Sequence, residues 1–82
     1  MINITYFGVL KSILNVTQED FEWESGTTTD LIYQLQQRSD VWHNALAAGK
    51  VFRIVINDVI CYEVTPIHKG DRVALLPPVT GG

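Results

Sequence analysis

An α+β roll, in which one mixed sheet is covered by a main helix, is the fold predicted by this sequence of 82 residues. Three observations predict it. From the start the chain alternates, with Ile2, Ile4 and Tyr6 on one side and Asn3, Thr5 and Phe7 on the other, the period of a strand. Around Leu31, Ile32 and Leu35 the period lengthens to that of a helix with one apolar stripe. From Val51 onward it returns to two. A sheet face and a helix stripe both need covering, and two layers let each cover the other.

The elements follow in order. Gly8 ends the first strand, and Val9, Leu10, Ile13 and Leu14 recur at helical spacing over barely two turns, which predicts a short helix. Phe21 and Trp23 alternate with Glu22 and Glu24, a second strand with one wet face, closed by Ser25-Gly26. Thr27 with Asp30 three places on makes a capping box in which aspartate stands in for the commoner glutamate. The helix behind it covers residues 28–39, with Gln34, Gln36, Gln37 and Arg38 facing water. Asp40 begins a further turn that carries Trp42, Ala45 and Leu46 and ends at Gly49. Phe52, Ile54 and Ile56 then face one way, Arg53 and Val55 the other. Asn57-Asp58 is a turn, and residues 59–64 return as the partner strand. Lys69-Gly70-Asp71 turns the chain into a last strand at residues 72–76. Pro77-Pro78 stops it, because proline has no N–H to give. The expected organisation is a single domain over residues 1–76 and an extended arm over residues 77–82.

Composition narrows the function. Nine acids against six bases give a net charge of −3, and the bases are scattered singly rather than gathered into the patch that nucleic acid requires. Cys61 stands alone, so no internal disulfide forms. No signal peptide or membrane span is legible, which makes the cytoplasm the expected compartment and no membrane the expected partner. Within the domain little could carry chemistry. Cys61, between Ile60 and Tyr62, reads as a packed thiol, with no helix terminus or basic neighbour evident to activate it. Cys61 with the distant His43 and His68 is too poor a set for a metal, so none is expected. Asp30, Asp40, Asp58 and Asp71 fall at caps and turns, and Glu22 and Glu24 on a solvated strand face. Gly8, Gly26, Gly49 and Gly70 punctuate elements, and none belongs to a phosphate-cradling loop. The domain is not expected to be an enzyme by itself.

The terminal run Leu-Leu-Pro-Pro-Val-Thr-Gly-Gly, residues 75–82, is a different matter. Pro77 and Pro78 stiffen its base, Val79 and Thr80 favour extension, and Gly81 and Gly82 present no side chain. Six residues reach at most about 20 Å. This reads as a slim arm able to enter a narrow channel, against the alternative of a frayed terminus. The reactive group of such a tip is the Gly82 α-carboxylate, an anion at neutral pH that needs activation, as in an acyl-adenylate, before a nucleophile can displace anything from it. Sulfur as that nucleophile would leave a thiocarboxylate.

Lys69-Gly70-Asp71-Arg72-Val73-Ala74 followed by Leu-Pro-Pro-Val-Thr-Gly-Gly resembles the C-terminus of the small, sulfur-carrying subunits of molybdopterin synthase, and the resemblance extends over the whole chain through Phe7-Gly8, the main helix and Val55-Ile56-Asn57. It implies a β-grasp, ubiquitin-like fold with the first and last strands parallel at its centre. It implies that Gly82 is adenylated by an activating enzyme using ATP, then thiocarboxylated from a sulfur donor, with no cofactor held permanently. Gly81, Thr80, Val79, Pro78 and Pro77 would thread the large synthase subunit, where the sulfur builds the dithiolene of molybdopterin from cyclic pyranopterin monophosphate. Catalytic residues would belong to that subunit, in a heterotetramer of two small and two large chains. Leu75 and Leu76 would lie at the partner interface, with strand alternation turning one of the two inward and the resemblance leaving open which one faces the partner. Two departures are visible: Lys69 and Arg72 replace acids common in the family, and Leu75-Leu76 stands where an aromatic residue is frequent. Three other readings remain: the related sulfur carrier of thiamine thiazole synthesis, a ubiquitin-like protein modifier, and a binding module with an inert tail.

Overall fold

A computed structural model describes residues 1–51 and 53–78. The observed order is β1 (Ile2–Tyr6), α1 (Gly8–Leu14), β2 (Gln18–Phe21), β3 (Ser25–Thr27), α2 (Thr28–Gln36), α3 (Asp40–Ala45), β4 (Arg53–Ile56), β5 (Val59–Cys61), β6 (Pro66–His68) and β7 (Arg72–Leu76). Five strands form one sheet in the order β2-β1-β7-β4-β5, and β3 pairs with β6 in a separate ribbon. β1 and β7 run parallel at the centre, with Ile4 opposite Val73 and Tyr6 opposite Leu75, while β2, β4 and β5 are antiparallel to their neighbours. This is the β-grasp roll, and the expected parallel centre is present.

The inward face follows from the alternation. Ile2, Ile4 and Tyr6 of β1 and Val73 and Leu75 of β7 are buried under Leu10 and Leu14 of α1, Leu31 and Leu35 of α2, and Ala45 and Leu46 at the end of α3. α2 begins as its sequence predicts. Thr27 Oγ1 accepts from the Asp30 N–H while the Asp30 carboxylate accepts from the Thr27 N–H at 2.8 Å, a complete capping box. Ser39 caps α3 by accepting from the Trp42 N–H. The Asn57-Asp58 turn has both central residues at positive φ, 50° and 68°, the geometry that matches strand twist in a two-residue hairpin.

Three expectations are corrected. The second strand lies at residues 18–21, earlier than its aromatic alternation suggests, and residues 22–24 are not strand. Trp23 is buried instead as a plug, its indole N–H donating to the Ile67 carbonyl at 2.9 Å. Ser25-Gly26, read as a turn, is part of β3, and Pro66–His68 is the strand it pairs with. Gly26 is required there because a Cβ would sit 3.0 Å from the Trp23 ring and 3.1 Å from the Asp30 carboxylate. Finally, β5 stops at Cys61, short of the expected residue 64. The expected orientation of Phe52 lies outside the described residues.

The buried Tyr6 brings a hydroxyl into the core, and such a hydroxyl needs a partner. It donates to Glu19 Oε2 at 2.6 Å. Arg38, just beyond α2, grips the same carboxylate with both guanidinium nitrogens at 2.7 and 2.8 Å. Its guanidinium also lies 4.5 Å from the Trp42 ring centroid and 5.3 Å from that of Phe21, while Trp42 meets Tyr6 edge-on. The Arg38 hydrogen bonds hold the Glu19 carboxyl below the usual glutamate range, and the Glu19 hydrogen bonds raise Arg38 in turn. Burial above all, then the bond to Glu19, pushes the Tyr6 phenol up.

Replacing Arg38 by methionine leaves the Glu19 carboxylate without its bidentate partner. A loss of about 1–3 kcal/mol in denaturant unfolding is expected at pH 7. Because the folded pKa of Glu19 is depressed, the stabilisation is present above the unfolded glutamate pKa and is lost as pH falls through the folded value. Wild type and Arg38→Met should therefore converge in stability as pH drops below about 4. An equal gap at pH 7 and pH 3 would contradict the assignment.

Candidate functional site

The sheet face away from the helices carries the candidate site. Register places Thr5, Ala74, Val55 and Ile60 in one row across β1, β7, β4 and β5, and Leu76 beside Arg53 in the next. Phe7 follows Tyr6 at the end of β1 and is 45% exposed, and Ile60 is 44% exposed. Arg53 lies over the exposed Tyr62 ring, 5.0 Å from its centroid. The apolar row thus ends in a cationic and aromatic edge. Among the described residues no helix covers this face, and Phe7, Ala74, Leu76, Val55 and Ile60 form an apolar surface across it.

β7 also aims the terminal segment. The Phe7 N–H donates to the Leu75 carbonyl at 3.3 Å, which continues the β1–β7 ladder up to the point where Pro77 ends it. The described chain therefore leaves the domain from the central strand, at the margin of the apolar face. Of the residues expected to form the arm, Pro77 is half-buried and Pro78 exposed, while Val79, Thr80, Gly81 and Gly82 lie outside the described residues.

Leu75 and Leu76 separate. Leu75 is 0% exposed and belongs to the core. Of the two leucines expected at a partner interface, alternation decides which one faces out: with Val73 inward, Leu75 points inward too, and Leu76 outward. Leu76 is the one left half-buried on the outer face.

The two unusual bases are paired within the chain. Lys69 Nζ lies 2.9 Å from Glu24 Oε2, and an Arg72 guanidinium nitrogen 3.1 Å from Asp58 Oδ2. Asp71 accepts from the His68 N–H at 2.8 Å and from the Asn57 amide at 2.9 Å, and these bonds, the backbone one first, lower its pKa. It holds two turns together, as its position predicts. Cys61 is half-buried, its thiol facing the Val59 carbonyl at 3.8 Å beside the core.

A groove of about 620 Å³ runs between α2 and the β4–β5 edge, with Ile32, Ile54 and Cys61 among its lining and Tyr33 and Tyr62 at its margins. Among the described residues no group of three or more histidines, cysteines or carboxylates could hold a metal, and no helix is long and apolar enough to cross a membrane. Sequence reasoning missed Glu19 as the centre of the Tyr6–Arg38 network. The signal available was a carboxylate on a strand whose partner strand ends in a buried tyrosine, and it could be seen only once the β1–β2 register was known.

Fold and site together define a small β-grasp protein whose terminal segment issues from its central parallel strand beside an uncovered apolar face. The profile of the ThiS family matches residues 4–82, and the chain belongs to that family. It is 30% identical over 82 residues to the molybdopterin synthase sulfur carrier subunit of Haemophilus influenzae and 29% identical over 82 residues to that of Escherichia coli, each covering all of both chains. The Mycobacterium tuberculosis protein of the same name is 30% identical, covering 99% of this chain and 96% of its own. Among solved structures, a putative molybdopterin converting factor subunit 1 from Pyrococcus furiosus superimposes with a TM-score of 0.73 at 22% identity, covering 95% of this chain and 97% of its own. SAMP1 from Haloferax volcanii superimposes with a TM-score of 0.70 at 21% identity, covering 99% and 98% respectively. These two likenesses bear on the fold alone.

Leu75→Ala should cost about 2–5 kcal/mol in unfolding free energy, the range for emptying a leucine site in a packed core. Leu76→Ser should cost less than about 1 kcal/mol, since the side chain lies on the outer face. Equal losses by chemical denaturation would contradict the assignment of the two leucines.

Proposed function

We propose that this protein is the sulfur carrier of a molybdopterin synthase. Full-length similarity to curated relatives of that name is the observation that carries the reading. In this reading an activating enzyme joins the Gly82 carboxylate to AMP, releasing pyrophosphate from ATP. Sulfur supplied at the oxidation level of hydrosulfide then attacks the acyl carbon, AMP leaves, and a terminal thiocarboxylate remains. The C–O bond to AMP breaks as the C–S bond forms, so the energy of ATP is retained in a nucleophile that the carboxylate could not have become unaided. The tip, Pro77 to Gly82, enters the large subunit, which contributes the catalytic residues and uses the sulfur to make the dithiolene of molybdopterin from cyclic pyranopterin monophosphate.

The apolar face around Phe7, Ala74, Leu76, Val55 and Ile60 is the docking surface in this proposal. It is uncovered, and the terminal segment leaves from its margin. Two small subunits on two large ones would let each arm reach a separate site. Cys61 takes no part in transfer, since the sulfur travels on Gly82.

Intact-mass measurement of the protein from cells is expected to show replacement of one terminal oxygen by sulfur. Chemically made Gly82 thiocarboxylate should support product formation with the large subunit alone, without ATP or activating enzyme. Unmodified protein with free sulfide should not, and equal rates would overturn the carrier reading. Deleting Gly82 shortens the reach by about 3.3 Å and should abolish transfer with an unchanged melting temperature. Cys61→Ser should transfer sulfur normally.

Docking has its own test. Ile60→Glu puts a charge on the proposed surface and should weaken binding to the large subunit by at least about 2 kcal/mol in calorimetry, with folding intact. Unchanged affinity would exclude this face.

A further inference from the structure

Gly8 stands where β1 gives way to α1, at a φ of 55°. A Cβ placed there would lie 3.1 Å from Pro77 Cγ and 3.7 Å from Cδ. The first distance is well inside the carbon–carbon optimum of about 3.5–4.0 Å. Gly49 and Gly70 also have positive φ, yet among the described residues a Cβ on either would meet nothing within 4 Å. At Gly8 the space is used as well. The Pro77 ring lies across the space that a Gly8 side chain would enter, and the neighbouring Phe7 N–H is bonded to the Leu75 carbonyl two residues before that ring.

Proline makes this contact consequential. Its own φ is fixed near −65°, and the residue before it is held to extended conformations. Leu76 and Pro77 therefore have few ways to turn, and the surface on which the ring sits decides among them. An arm extended over the five residues beyond Pro77 has its tip roughly 16 Å away, so a tilt of about 4° at the ring moves that tip by about 1 Å.

We infer that Gly8 is a positioning residue for sulfur transfer: its missing side chain seats Pro77 and sets the direction in which the terminal arm leaves the sheet. The inference rests on the reading that the arm delivers sulfur from Gly82. Gly8 touches neither sulfur nor substrate and acts through the base of the arm.

The test uses full-length protein carrying a chemically installed Gly82 thiocarboxylate, the large subunit and the pyranopterin precursor, so that activation plays no part. Gly8→Val should lower kcat by about tenfold or more, since a displacement near 1 Å can cost about a hundredfold. KM for the carrier should change by less than about threefold, because Gly8 is not among the residues of the proposed docking face. Gly8→Ala should fall between wild type and Gly8→Val. The decisive comparison is Gly8→Val combined with Pro77→Ala. Removing the ring removes what the valine strikes, so the double variant should be no slower than Pro77→Ala alone, the non-additivity expected of a shared contact. If Gly8→Val does not fold, Gly8→Ala with and without Pro77→Ala makes the same comparison. Unchanged kcat in the single variant, or the same slowing in the Pro77→Ala background as in wild type, would overturn the inference. NMR supplies a readout independent of sulfur chemistry: cross-peaks between Gly8 Hα and the Pro77 ring protons are expected, and their absence would show that there is no seat. Wild-type thiocarboxylate that yields no product would overturn the carrier reading instead, and the cross-peaks would then decide the seat by themselves.

Discussion

The parallel pairing of β1 with β7 is the constraint on which the rest of the structure depends. It joins residues 3–6 to residues 72–75, nearly the full length of the chain apart, and so closes the roll. Parallel neighbours cannot be linked by a tight turn, and the whole intervening chain serves as their crossover. Both strands are central, and their inward residues, Ile4 and Tyr6 with Val73 and Leu75, share one core cluster with buried residues from all three helical segments. The same pairing brings the end of β7 to the junction of β1 and α1. Closure of the core and the aim of the terminal segment are one geometric fact.

Long closure is entropically expensive, and local devices offset part of it. The capping box at Thr27 and Asp30 starts α2 where its stripe can meet the sheet. Asn57 occupies a left-handed turn position and also binds Asp71 and the Arg72 N–H, so the β4–β5 hairpin and the entry to β7 are fixed by one side chain. On the far edge, Glu19 links β2 to the end of α2 through Arg38 and to β1 through Tyr6. These contacts hold the domain without engaging its outer face, which leaves that face available for another surface.

What was legible in the sequence was what depends on period and on local chemistry. β1 and β7 stand within a residue of where alternation and proline place them, and α2 starts at its capping box but ends at Gln36, three residues short of the expected residue 39. The parallel centre came from resemblance, because alternation gives faces and not neighbours. Trp23 misled for a physical reason: an aromatic residue next to an acidic one looks like strand alternation, whereas its indole is anchored across the fold by the Ile67 carbonyl, 44 residues away. β6 was hidden because three residues beginning with proline carry almost no periodic signal. Family position offers both Leu75 and Leu76 for the interface, and the parity of the strand, fixed by Val73, turns Leu75 inward and leaves Leu76 outside. The five outer-face residues were each visible as letters, but only register gathers them into one surface.

The two tryptophans occupy distinct environments, and this gives the molecule a pair of internal optical reporters. Trp23 is enclosed beside the β3–β6 ribbon and hydrogen-bonded to the backbone, whereas Trp42 is half-exposed beneath the Arg38 cation. Their emission samples two different environments, one dry and one charged. Neither indole lies on the outer face or at the base of the terminal segment. Intrinsic fluorescence therefore follows folding of the roll, whereas a probe introduced on the outer face would follow contacts made there.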